Sequence, residues 1–220
     1  MCSKLFKRFS SCLLWFLAFS CIFMWSSLKA QTSKDAESYY ASGLAYEEKG
    51  QLDLAIKELT KALELNPKYA DAYDARGKGY TAKGQLDLAI KDYTKALEIN
   101  PKDVSAYNDR GVVYSRKGQY DLAIKDYTKV LEINPKDVAA YNNRGNAYEK
   151  KGQYDLAIWD FTKVLEIKPK QPFAHTNRGI AYEKKGQFDL AIQDYTKALE
   201  INPKDTKASN NLKNINKKKK

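Results

Sequence analysis

The chain has 220 residues and a formal net charge of +11, but that charge is an end effect: residues 1–30 carry four basic side chains and no acid, residues 206–220 carry six lysines and no acid, and residues 36–205 hold 27 basic against 26 acidic groups. A near-neutral body with both signs interspersed argues against a nucleic-acid groove. All three cysteines lie in the first 21 residues, which excludes a disulfide framework or a thiolate metal site from the body.

At the amino terminus, Lys4, Lys7 and Arg8 precede an uncharged run from Phe9 to Leu28, and Lys29, Ala30 and a polar stretch follow. A basic start, an apolar stretch and a polar sequel make the pattern of a secretory signal. Residues 1–30 are therefore expected to be a signal peptide or signal anchor, by one of three routes. Cleavage after Ala30 would free Gln31, although Leu28 and Lys29 fit the small-residue rule poorly. The 20-residue run is also long enough to remain as a membrane span. Leu17 to Cys21, LAFSC, resembles a lipoprotein box in which Cys21 would be lipidated. Every route keeps the basic cluster on the cytoplasmic side and sends the rest across. The expected location is exported (periplasmic or secreted), or tethered to the membrane by residues 9–28 or a lipidated Cys21.

Residues 31–35 read as a linker, after which a 34-residue period sets in, with units 36–69, 70–103, 104–137, 138–171 and 172–205. A fixed period of this length marks a stacked array, in which each unit buries its apolar face only against its neighbours. Within a unit, positions 4, 8 and 11 share one helical face, as in Tyr107, Gly111 and Tyr114. Positions 17, 20, 21, 24, 27 and 28 form a second, wider stripe, as in Tyr120, Ala123, Ile124, Tyr127, Val130 and Leu131. Each unit is thus expected to hold two amphipathic helices, A and B.

Punctuation agrees with that division. Glycine at position 15 (Gly50, Gly84, Gly118, Gly152, Gly186) suits a left-handed residue ending helix A, and the aspartate at position 18 suits the first turn of helix B. Proline at position 32 stops helix B, and Asp103, Asp137 and Asp205 at position 34 are placed to cap the next helix A. Glycine at 8 and alanine at 20 allow helices A and B to approach closely. Residues 206–216 keep an apolar line, Ala208, Leu212 and Ile215, and read as a capping helix, with 217–220 as a basic tail.

An aromatic at 4, Gly at 8, Tyr at 11, Ala at 20, a large residue at 24, a small one at 27 and Pro at 32 together resemble the tetratricopeptide repeat family, over five consecutive units. The resemblance implies an all-α fold: a right-handed superhelical solenoid of five tandem helix-turn-helix units plus a C-terminal capping helix. It also implies a non-enzymatic scaffold for protein–protein interaction. The chain departs from the pattern at position 7, where the family commonly has leucine and this sequence has Ser42, Arg76, Arg110, Arg144 and Arg178. It departs again in the valines at 27 in units three and four (Val130, Val164), and in His175 at position 4.

Nothing in the sequence supports catalysis, a cofactor or a metal. Its single histidine, His175, occupies a packing position, and its glycines recur for helix packing and termination. Carboxylates repeat at positions 18 and 23 in every unit, which marks a structural face.

Helix B is almost the same text five times, whereas helix A varies at positions 2, 5, 6, 9, 12 and 13. In the family resembled, helix A lines a concave groove for an extended peptide; the alternative is drift at exposed positions. Read as a groove, the partner-binding residues are Tyr40, Asp74, Lys78, Asn108, Asp109, Asn142, Asn143, Asn146, Phe173 and Asn177. No three successive units supply the lysine and asparagine set with which some family members clamp a carboxylate-terminated tail. The asparagines instead suit sequence-tolerant binding of a peptide backbone, because a side-chain amide both donates and accepts.

Trp159 replaces a polar residue on helix B and is a candidate accessory contact. Lys217, Lys218, Lys219 and Lys220 are candidates for an anionic membrane surface. The rival to a peptide scaffold is a self-associating, membrane-bound assembly protein that uses repeat stacking and this tail.

Overall fold

The computed structural model describes residues 31–218. The apolar segment, Cys21, Lys219 and Lys220 lie outside the described residues. Among the described residues there are eleven helices and no strand. None of these helices is long and apolar enough to cross a membrane. The chain divides into two units, residues 1–83 and 84–220.

The first unit contains α1 (31–48), α2 (Leu52–Leu65) and α3 (Ala70–Ala82). Residues 31–35, expected as a linker, are helical and continuous with α1. Gln31 Nε2 donates to Asp35 Oδ1 at 3.0 Å, one turn on, and Ala36 at the join is fully buried. Leu59, Ala62 and Leu63 of α2 pack with Ala72 and Ala75 of α3 to form its core, flanked by Tyr39, Tyr40 and Leu44.

The second unit runs α4 (Leu86–Ile99), α5 (Val104–Arg116), α6 (Tyr120–Ile133), α7 (Val138–Lys150), α8 (Tyr154–Ile167), α9 (Pro172–Lys184), α10 (Phe188–Ile201) and α11 (Thr206–Lys218). The capping helix therefore reaches Lys218, two residues beyond its expected end. Helices of 13 or 14 residues are marginal alone, so their stability comes from packing against neighbours. Consecutive helices pack throughout this unit, and α5, α7, α9 and α11 also touch one another in turn, whereas α4, α6, α8 and α10 do not. The A helices are thus the closer-set layer and form the inner side of the unit's curvature.

The turn chemistry is as the sequence dictates. Gly118 has φ 72°; its N–H donates to Ser115 O at 3.0 Å and that of Gln119 to Tyr114 O at 2.9 Å, closing α5 with a left-handed cap. Asp103, Asp137 and Asp205 each accept from the backbone N–H three residues on, at 3.1, 2.8 and 3.0 Å. Position 8 must be glycine for a contact reason. A Cβ on Gly111 would lie 2.7 Å from the Tyr127 ring, and one on Gly145 would lie 2.8 Å from that of Phe161. The large residue at 24 thus covers the backbone of its own helix A.

Candidate functional site

The arginines at position 7 set the relation between the layers. Arg144 on α7 donates from Nε and Nη2 to both carboxylate oxygens of Asp160 on α8, at 3.0 and 2.8 Å, and from Nη1 to Thr128 Oγ1 on α6 at 3.0 Å. Arg110 does the same with Asp126 and Thr94, and Arg178 with Asp194 and Thr162. Each arginine therefore ties its own helix B to the preceding one. Asp126, Asp160 and Asp194 are buried, so this bidentate pairing meets their demand for partners. The hydrogen bonds that Arg178 donates to Asp194 hold its guanidinium above the usual arginine range. The tyrosines at 4 and 11 flank the same group: Arg144 Cζ lies 5.7 Å from the Tyr141 ring and 5.9 Å from that of Tyr148.

Sequence reasoning missed this network because position 7 read only as a departure. A signal existed: arginine at 7 accompanies aspartate at 23 in units two to five, and the serine of unit one, Ser42, accompanies Glu58. Glu58 pairs instead with Lys61 at 2.7 Å. The carboxylates at 18 are different, being exposed; Asp87, Asp121 and Asp155 pair with Lys117, Lys151 and Lys185 of the next hairpin. At that exposure each pair contributes about 0–1 kcal/mol.

His175 replaces the tyrosine at position 4 and is a packing residue. It is buried, and its Nδ1 lies 2.9 Å from Asp194 Oδ1, which puts it in the same arginine–aspartate network.

On the inner layer of the second unit, most of the expected groove residues meet. Asn143 Nδ2 donates to Asn108 Oδ1 at 3.4 Å and Asn142 Nδ2 to Asn143 Oδ1 at 3.5 Å. Asn177 Nδ2 is shared between Asn142 Oδ1 at 3.4 Å and Asn146 Oδ1 at 3.2 Å, and Lys207 Nζ donates to Asn177 Oδ1 at 3.2 Å. The amides thus form a ladder over α5, α7 and α9, which Lys207 extends to α11. These long bonds use only part of each amide's capacity. Asp109 and Phe173 stand outside the ladder: Phe173 is exposed at the start of α9, and Asp109 acts through its charge on Tyr127.

Beside the ladder is a pocket of about 310 Å³ lined by Val112, Ser115, Arg116, Tyr120, Tyr127, Asn143, Asn146, Ala147 and Lys150. Only Asn143 and Asn146 were among the expected site residues; the others follow from positions 9, 10, 12 and 13 of helix A and 17 and 24 of helix B. Tyr127 Oη lies 3.4 Å from Ser115 Oγ, and burial pushes the phenol up to about 12.

In the first unit, the Tyr40 ring packs at a 42° tilt against that of Tyr69, with centroids 4.9 Å apart, and Lys78 pairs with Asp74 at 2.6 Å. Burial, then the charges of Asp71 and Asp74, hold the Tyr40 phenol above its usual range. Trp159 on α8 is 50% exposed, lies edge-on to Tyr141 at 5.9 Å, and has Lys163 Nζ 5.5 Å from its ring.

Stacked helical hairpins with a polar, amide-lined inner face, and with Asp126, Asp160 and Asp194 committed to tying helices together, have the architecture of an interaction module. The tetratricopeptide repeat pattern matches residues 138–171 and 172–205, and a second pattern, TPR repeat, matches 43–80, 77–118 and 114–152. The chain belongs to the tetratricopeptide repeat family. Among solved structures it is similar to two of MamA. One is 29% identical with TM-score 0.74, covering 79% of this chain and 95% of that one. The other is 30% identical with TM-score 0.71, covering 75% and 96%. It is also similar to YrrB, described as a TPR protein with an unusual peptide-binding site, at 26% identity and TM-score 0.75, covering 86% of this chain and 97% of that one. Comparison with curated protein sequences gives no match. The chain is a protein-interaction scaffold.

Proposed function

We propose that this scaffold works outside the cytoplasm, exported or membrane-tethered, and holds an extended protein segment in the groove lined by its A helices. The observation that carries the reading is the amide ladder from Asn108 through Asn143, Asn142 and Asn177 to Asn146. Amides with spare donors and acceptors suit the N–H and C=O groups of a polypeptide backbone, which gives affinity without demanding one sequence. The peptide-binding site for which YrrB is described is consistent with it. Export rests on the basic-then-apolar pattern of residues 1–30.

Affinity capture from the envelope fraction tests the groove, comparing the native chain with an Asn142→Ala, Asn146→Ala, Asn177→Ala variant. The variant is expected to lose the partners; equal capture removes the groove reading. Amino-terminal analysis of the native protein tests export, with a start at Gln31, a blocked Cys21 or an intact Met1 marking the three routes.

A second reading, self-association, is favoured by one feature of helix B. Leucine recurs at position 19, and in the second unit Leu88, Leu122, Leu156 and Leu190 are 44, 43, 48 and 40% exposed. A repeated apolar row is suited to pairing with the same row of another copy. Light scattering of the native chain and of Leu122→Glu, Leu156→Glu separates the readings, because only self-association predicts concentration-dependent oligomers that the variant abolishes.

A further inference from the structure

We infer that the pocket between α5 and α7 receives one large apolar side chain, aliphatic or aromatic, of the bound segment and so sets its register in the groove. The inference rests on the groove reading and adds the chemistry of the occupant. Val112 and Ser115 line the pocket from α5, on the helical face that also carries Asn108, and Asn143, Asn146 and Ala147 line it from one face of α7. A backbone held by the ladder at Asn108, Asn143 and Asn146 therefore passes the mouth of the pocket.

Position 12 of the repeat decides that the pocket is open. Repeats one, four and five carry Glu47, Glu149 and Glu183 there, and repeat three carries Ser115. In repeat five the Glu183 carboxylate accepts from the Tyr195 hydroxyl at 3.0 Å, and Asn211 of α11 donates to the same oxygen at 3.4 Å, so side chains take up the corresponding space. Ser115 is shorter, and its hydroxyl lies 3.4 Å from that of Tyr127; about 310 Å³ is left beside them, room for one branched or aromatic side chain.

The lining selects against a charged occupant. Its walls are Val112, Ala147 and the rings of Tyr120 and Tyr127. Burial keeps the Tyr127 phenol neutral, pushed up to about 12, and no carboxylate lines the pocket. The cations at its rim are answered within the protein: Lys150 has Glu149 at 3.8 Å, and Arg116 has a partner of its own. A charged guest would lose its hydration with no opposite charge left to meet, whereas an apolar one gains by leaving water.

The test uses the full chain and a library of random ten-residue peptides displayed with both ends fused to a carrier, so that no chain terminus is offered. Selected peptides are expected to share a Leu, Ile, Val, Met or Phe at one position, and alanine there should weaken binding to the native chain about ten-fold. Ser115→Glu gives repeat three the residue that repeats one, four and five carry, and fills the pocket. The selected peptides should bind it about ten-fold more weakly, with no further loss from the alanine change. Val112→Asn, the residue that repeat four carries as Asn146, removes a wall without filling the space and should give the same pattern; thermal melts verify that both variants fold. Selected peptides with no common apolar position, or losses that simply add, overturn the subsite. If such peptides still lose binding to the Asn142, Asn146, Asn177 triple alanine variant, the groove reading survives; if they bind that variant equally, or if the library yields no binder, both fall.

Discussion

Arg144 and Asp160 close a two-toothed ion pair between α7 and α8, with both carboxylate oxygens within 3.0 Å of the guanidinium and Asp160 fully buried. Removing the arginine alone leaves a buried, uncompensated charge. Arg144→Ala is therefore expected to destabilise the array by about 3–5 kcal/mol. Adding Asp160→Asn to it should restore part of the loss, because the remaining group is then neutral. Urea unfolding of the two variants and the native chain measures both steps, and a double variant less stable than the single one would contradict this account.

Gly145 tests the contact that brings helices A and B together. Its missing Cβ would meet Phe161 Cε1 at 2.8 Å, so Gly145→Ala is expected to cost about 1–3 kcal/mol through overpacking. Phe161→Leu shortens the side chain at the clash, and the double variant should lie closer to native than the sum of the two single changes. Strict additivity in thermal melts would place the strain elsewhere.

The buried tyrosines at position 24 predict an alkaline limit. Burial raises the Tyr127 phenol to about 12, against about 10 for a solvated tyrosine. Tyr195 is also raised, first by burial and then by its hydrogen bond to Glu183. A raised folded-state pKa contributes stability that is complete below the unfolded value and disappears as pH climbs through the folded one. Unfolding midpoints should therefore fall between about pH 10 and 12, and Tyr127→Phe should blunt the fall. A flat profile over that window would show that the phenol is not held neutral.

Local features of this fold were legible in the sequence and stacking features were not. The left-handed Gly118 and the Asp137 cap act within a few residues of themselves, so period and residue type suffice to place them. Helix ends were less legible. Gln31 to Asp35 and Lys217 to Lys218 extend α1 and α11 because no proline or glycine stops either helix there. Arg144 reaches Thr128 and Asp160 sixteen residues away in opposite directions, and Asn143 meets Asn108 thirty-five residues back. Such pairs exist only once hairpins stack in one register. The groove asparagines were found as varying residues, but the pocket beside them needed the floor that Tyr120 and Tyr127 supply from helix B.

Trp159 decides whether the α8 surface shares in binding. The chain has three tryptophans, and the other two, Trp15 and Trp25, lie outside the described residues; replacing both with phenylalanine makes Trp159 the sole reporter. Half exposed and in contact with Tyr141, it should emit as a partly solvated indole and be quenched by acrylamide. Trp159→Lys restores the residue that three other units carry at this position and removes a contact with Lys163 worth about 0.5–1 kcal/mol at an exposed site, so stability should change little. If the indole is an accessory contact, peptides selected on the groove should protect it from quenching and bind the lysine variant more weakly. Unchanged quenching together with unchanged affinity would confine recognition to the A helices and leave Trp159 as a surface packing residue.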